Sequence, residues 1–200
     1  MNGWQHYGLK DVQVIPYMKN SPVYLDETLP FLYRQTKQEG KMEMTFCGDD
    51  FDLGQFVNFF VKLGTMQVLC EVEENKRIKP VGYSWMSCPH GIDGARSAAV
   101  GFCFFNNASK RSSARDLARL AIAYGMMDMK INVGHGIQLA SNVPAQNFAR
   151  RVGFKFVGTV PKYHHYRGEL VDASIMVVED TEFLPSFEQW FSVQNAIRPK

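Results

Sequence analysis

The sequence predicts an α/β (α+β) fold, with one domain over residues 1–180 and a tail, 181–200, that carries a short amphipathic helix. Three observations lead there. The stretch Asn142 to Phe154 states a complete helix followed by a strand. Strand patterns come in groups of three and two between helices rather than strictly one for one, which suits a mixed sheet. A chain of 200 residues, 46% of them hydrophobic, can bury one sizeable core.

The elements follow in order. Val12 to Tyr17 alternates apolar and polar residues and reads as a first strand. Asn20-Ser21-Pro22 opens a helical region in which Leu25, Leu29 and Leu32 share a face, and Pro30 is expected to break it in two. Asp52 and Gln55 are spaced as a capping box before Leu53, Phe56, Val57, Phe60 and Val61, a helical stripe. Met66 to Glu73 and Pro80 to Met86 are strands joined by the charged turn Glu73 to Arg77, and Ser87 to Arg96 reads as a loop. Ser97 to Phe105 is a third strand, apolar without alternation, as expected of a strand covered on both faces. A helix from about Ala114 to Met127 carries Leu117, Leu120, Ala121 and Tyr124 on one face, and Val133 to Ala140 forms a glycine-broken strand.

Next comes the joint itself. Asn142 or Val143 caps a helix whose first turn accepts Pro144, and Ala145, Phe148, Ala149 and Val152 fall on one apolar stripe. Gly153 supplies a left-handed stop, and Phe154 begins an extended segment. Lys155 to Val160 and Val171 to Val178 are a final antiparallel pair around the loop Pro161 to Gly168. The order is therefore β, α, α, three β, α, β, α, β, β.

An Asn, then Ala three residues on, a large apolar residue, a basic residue and Gly-Phe, as in Asn142 to Phe154, resembles the fourth helix and sixth strand of the GNAT (Gcn5-related) N-acetyltransferase superfamily. The element order agrees with that family's topology. The resemblance implies a mostly antiparallel, splayed central sheet flanked by helices, with acetyl-CoA as co-substrate and an amine, small-molecule or peptide, as acceptor. In the family the coenzyme's pyrophosphate sits at the helix start after the central strand, where free N–H groups and the helix dipole favour an anion. It lies there over a motif of Arg or Gln, two residues, Gly, one residue, then Gly or Ala. Here the match is Arg111-Ser-Ser-Ala-Arg-Asp116. The implied coenzyme-binding set is Phe105, Asn106, Arg111, Ser112, Ser113, Ala114, Arg115 and Asn142, with the strand near Phe105 pairing with the pantetheine arm.

Two departures from the pattern bear on function. Asp116 stands where Gly or Ala is expected, and a carboxylate about 4 Å from a phosphate would be repelled by roughly 1–4 kcal/mol per charge pair. Ser113 and Asp116 are also spaced as a capping box, so the helix could satisfy its own first turn. Ala149 occupies the position at which the family often places a Tyr to protonate the departing thiolate. Candidates for proton transfer are then His165, His164 and Tyr163 in the Pro161 to Gly168 loop, which in this fold overhangs the acceptor site, and Glu71 on the second strand of the meander. Adjacent His and Tyr side chains could equally close a hairpin by stacking. An acetyltransferase and a GNAT-like binding or structural module that has lost transfer both stay open.

Composition narrows the partners. Twenty-two basic against 20 acidic residues give a net charge of +2, with no global field for nucleic acid or an anionic membrane. The scattered Cys47, Cys70, Cys88 and Cys103 lack metal-ligand spacing and read as reduced thiols of a cytoplasmic protein, with no metal site expected. No stretch of eighteen apolar residues marks a membrane span, and the first residues lack the pattern of an export signal. Leu184, Phe187, Trp190 and Phe191 fall at helical spacing in the tail. They either pack back on the domain or make a homodimer contact.

Overall fold

The computed structural model describes residues 7–16, 22–63, 65–87, 90–92, 95–106 and 111–197. Expectations that fall on Tyr17, Asn20, Ser21, Cys88 and Lys110, and on the side chains of Leu25, Arg111 and Ser112, lie outside the described residues.

The chain runs β1 (Tyr7–Leu9), β2 (Val12–Pro16), α1 (Pro22–Gln38), α2 (Met42–Thr45), α3 (Leu53–Leu63), β3 (Met66–Val72), β4 (Ile78–Met86), β5 (His90–Ile92) and β6 (Ala95–Phe104). It continues through α4 (Arg111–Asp128), β7 (Val133–Leu139), α5 (Val143–Val152), β8 (Lys155–Tyr166), β9 (Glu169–Glu179) and α6 (Asp180–Ile197). One sheet has the strand order β1-β2-β3-β4-β6-β7-β9-β8, with β5 hanging from β6. Every pairing is antiparallel except β6 with β7.

Alternation along the strands sends neighbours to opposite faces, so the sheet separates two cores. On β3, Leu69 joins a core with Leu117, Leu120, Ala121 and Ile122 of α4, while Val68 and Cys70 join a second with Leu29 and Leu32 of α1 and Phe56 and Phe60 of α3. The capping box forms as spaced: the Gln55 N–H donates to Asp52 Oδ1 at 2.7 Å, and the Asp52 N–H donates to Gln55 Oε1 at 2.9 Å. The α5 helix starts and stops where the sequence says, with Asn142 Oδ1 accepting from the Ala145 N–H at 3.2 Å and Gly153 at φ 117°.

Several expectations change. Pro30 does not split α1, which is continuous over 17 residues. Leu29 and Leu32 beside it are completely buried, and each contributes about 1.5–3 kcal/mol, comparable to the ~3 kcal/mol cost of an interior proline. The Ser87 to Arg96 stretch contains β5, which pairs back on β6 through Gly91 at φ 117°. The α4 helix begins at Arg111, so Ser113 lies inside its first turn and is not the cap. Most of Pro161 to Gly168 is strand: β8 continues to Tyr166, absorbs Pro161 to Tyr163 in a bulge, and turns at Arg167 and Gly168, both at positive φ. In the tail, Phe183 and Phe187 of α6 are buried, with Trp190 and Phe191 packed partly against the same core.

Candidate functional site

The parallel pair β6–β7 holds together only where Ser97 to Ala99 face Val133 to His135. Beyond that, β6 follows β4 from Val100 to Phe104, and β7 follows β9 from Gly136 to Leu139. The sheet therefore parts along its middle, and one edge of β6 is left without a strand partner among the described residues. Into the fork opens a cleft of about 610 Å³ lined by Gly101, Phe102, Cys103 and Phe104 of β6 and Gly136, Ile137 and Gln138 of β7. That size suits a small-molecule site. Its lining draws on both cores, Val152 and Phe154 from one and Phe46 and Trp85 from the other, so the cleft passes through the plane of the sheet.

The apolar stripe of α5 forms one wall. Ala145, Phe148 and Ala149 line the cleft and are only half-buried, and of the stripe Val152 alone is fully covered. The sequence expectation of a core-facing stripe is corrected to this extent: Phe148 touches Phe104 edge to face at 5.4 Å, and its remaining surface meets the open cleft. The opposite wall is aromatic, with Phe46, Phe51, Phe59 and Trp85. A Cβ on Gly101 would collide with the Trp85 indole, so this glycine lets the ring lie directly on the β6 backbone.

Two polar features stand out inside. Gln138 Nε2 is buried with no hydrogen-bond acceptor among the described residues, a donor left over for a ligand. Among the described residues that line it, Asp49 is the one carboxylate and Lys41 the one cation. Lys41 Nζ donates to Glu39 Oε2 at 2.6 Å, Phe104 O at 2.7 Å and Asn106 Oδ1 at 2.8 Å, while the Asn106 N–H donates to both Glu39 oxygens. Burial pushes the Glu39 carboxyl up, but the hydrogen bonds from Lys41, Gln35 and Asn106 outweigh it and hold the group below the usual carboxylate range. This cluster fixes the chain where β6 leaves the sheet toward α4.

The candidate proton-transfer residues separate. His164 stands beside Asp49, its Nε2 buried without a hydrogen-bond partner among the described residues. Burial lowers its pKa, and the nearby Asp49 carboxylate only partly opposes that. Gly48 makes the approach: at φ 112° it packs so closely on the His165 carbonyl that no Cβ fits. Tyr163 is half exposed and meets His164 edge-on at 4.8 Å. The His165 side chain is exposed, and none of Tyr163, His164 and His165 is among the residues that line the cleft; Asp49 is the lining residue that His164 stands beside. Glu71, buried on β3 between Val12 and Lys79, does not line it either.

The coenzyme candidates divide similarly. Phe105 is core, stacked edge-on against Phe31 and Tyr83, and its N–H is taken by Val81 O, so the open β6 edge ends one residue earlier than expected. Asn106 is exposed at the β6 end and Asn142 lines the cleft while capping α5. Arg111, Ser112, Ser113, Ala114 and Arg115 form the first turns of α4, with Ser113 buried and Arg115 exposed. Asp116 is corrected: its carboxylate is 3% exposed and turned into the packing of α4, with Oδ1 3.7 Å from Arg115 Nε, so it is not offered to an anion at the helix start. Sequence reading missed Asp49, Gln138 and Lys41. Only Gly48, a turn signal ahead of Asp49, hinted at any of them.

Among the described residues no three His, Cys, Asp or Glu side chains gather as a metal site, and no helix is long and apolar enough to cross a membrane.

No family model matches the chain, and no curated protein matches it in sequence. Solved structures do. A GNAT-family acetyltransferase from Bacillus anthracis superposes with a TM-score of 0.65 at 16% identity, covering 88% of this chain and 98% of its own. The spermidine N-acetyltransferase from Vibrio cholerae, in complex with CoA and spermine, gives 0.68 at 13% identity over 86% and 98%. The ribosomal-protein-S5-alanine acetyltransferase from Vibrio fischeri gives 0.68 at 11% over 89% and 98%. The chain has the GNAT fold.

Proposed function

We propose that this protein is an N-acetyltransferase that moves the acetyl group of acetyl-CoA to an amine by direct attack. The observation that supports it most is the parted β6–β7 pair, which combines an unpaired strand edge, a buried unsatisfied amide donor at Gln138 and a cleft open through the sheet. Those features fit the pantetheine arm, a chain of amides that needs strand-like partners. The β6 edge from Gly101 to Phe104 and Gln138 would hold it, Asn142 and Asn106 would flank it, and the α4 start from Arg111 to Arg115 would face the phosphates. Acetyl-CoA supplies an activated thioester.

The chain's own residues then have definite tasks. An amine acceptor is mostly protonated at neutral pH and must lose a proton before its nitrogen can bond to the acyl carbon as the carbon–sulfur bond breaks. Asp49 attracts the ammonium, and His164, kept neutral by its lowered pKa, takes the proton. Tyr163, His165 and Glu71 are held in reserve as alternative proton carriers. A second reading, a binding module without transfer, draws on Ala149, which lines the cleft with no hydroxyl to return a proton to the thiolate.

Release of free thiol from acetyl-CoA across a panel of primary amines tests the reading. His164→Gln should keep the coenzyme-induced melting shift and lose about 10²- to 10⁴-fold in rate. Coenzyme binding with no transfer to any amine by the parent protein would leave only the binding module.

A further inference from the structure

The acceptor side of the cleft has a chemistry of its own, and from it, resting on the acetyltransferase reading above, we infer that the acceptor is a primary monoamine with an aromatic or apolar body, not a polyamine. Charge supports this first. A polyamine carries two or more ammonium groups, and each needs an anion when it leaves water. Among the described residues the lining offers Asp49 alone, and the one cation there, Lys41, is held by Glu39 and would repel a second positive charge.

Shape and polarisation support it next. Met44, Phe46, Phe51, Phe59 and Trp85 make the wall beside Asp49. Phe46 stacks on Trp85 at 5.4 Å, Phe51 lies tilted by 35° to Phe46 at 4.7 Å, and Phe59 meets Phe46 edge to face at 5.3 Å. Phe46 and Trp85 thus cover one face of each other, and the wall as a whole offers apolar and aromatic surface with no further anion on it, which favours an apolar or aromatic body over a second cation. The transfer needs no further reactant: amine and thioester give amide and thiol.

The experiment compares 2-phenylethylamine with spermidine, in turnover with acetyl-CoA and in equilibrium binding without it. The expected kcat/KM for phenylethylamine exceeds that for spermidine by at least about tenfold, the worth of burying an apolar body. Asp49→Asn should raise its KM about two- to fivefold, the size of an exposed ion pair. Phe51→Ala should collapse the preference, and Phe51→Leu, which keeps volume in the wall, guards against simple misfolding by weakening it in a fold of parent stability. A preference for spermidine, or one unchanged in both Phe51 variants, overturns the inference. The binding arm separates the two claims: phenylethylamine bound more tightly than spermidine upholds this inference even where no transfer occurs, and no phenylethylamine binding at millimolar concentration overturns it.

Discussion

Gly48→Ala is the substitution that would pull the candidate site apart at its joint. Gly48 sits at φ 112°, and a Cβ there would stand 2.9 Å from the His165 carbonyl carbon and closer still to its oxygen. Neither atom can move without shifting β8, because His165 is paired with Leu170 of β9. Backbone strain at such a φ costs about 1–3 kcal/mol, and forcing a methyl into packed backbone about 1–3 kcal/mol more. For a chain of this size that lowers Tm by about 4–24 °C. Gly40→Ala is the control: φ is 64° and nothing lies within 4 Å of its Cβ, so only the left-handed penalty of about 1–2 kcal/mol applies. Thermal unfolding followed by circular dichroism measures both. In the surviving Gly48→Ala protein the Asp49–His164 approach should open, lowering kcat while the KM for acetyl-CoA stays within about twofold. Equal melting of the two variants would refute the reasoning, because the Gly48 contact with β8 would then be absent in solution.

Phe148→Ala should cost about 1–2 kcal/mol, less than the 3–5 kcal/mol typical of a fully buried ring such as Phe60, and should weaken acetyl-CoA binding, which Phe60→Ala in a folded background should not. Chemical denaturation with calorimetry checks both numbers. Burial, with Asp49 adding, pushes the Cys47 thiol up to about 11, so iodoacetamide at pH 8 should label it roughly a hundredfold more slowly than an ordinary thiol although it lines the cleft. Labelling timed by mass spectrometry reads the rate. His164 has its pKa lowered in the fold, so the unfolded chain binds more protons below the usual value of 6.5, and its contribution to stability is present above that pH and lost as pH falls through the window beneath it. The same group should give the rising acid limb of kcat/KM an inflection below 6.5, which His164→Gln removes.

Much of the fold was legible because its punctuation is local. Asp52 with Gln55 and Asn142 with Gly153 each satisfy helix ends within a few residues, and the Leu117 and Phe56 stripes state which faces are covered. Pro161 misled because proline breaks a central strand, whereas β8 is an edge strand and tolerates it in a bulge. The α5 stripe was found but its environment was not: periodicity shows an apolar face, and cannot say whether sheet or cleft lies opposite. Asp49 and His164 meet only because β8 folds back over the α2–α3 connection, a contact with no local sequence mark. Lys41 likewise acts through Phe104 and Asn106, distant in the chain.

Calorimetric titration of acetyl-CoA into the parent protein and Gly136→Val tests the central claim most directly. Gly136 lines the parted strands, and a Cβ there meets only ordinary contacts, Val100 O at 3.7 Å and Phe154 Cε1 at 3.8 Å. Valine suits a strand and should leave Tm within a few degrees while filling the fork. The account predicts one acetyl-CoA bound per chain by the parent and at least about a tenfold weaker affinity in the variant, the worth of roughly 1.4 kcal/mol of lost contact. No binding by the parent at millimolar acetyl-CoA, or equal affinity in a folded Gly136→Val, would contradict it.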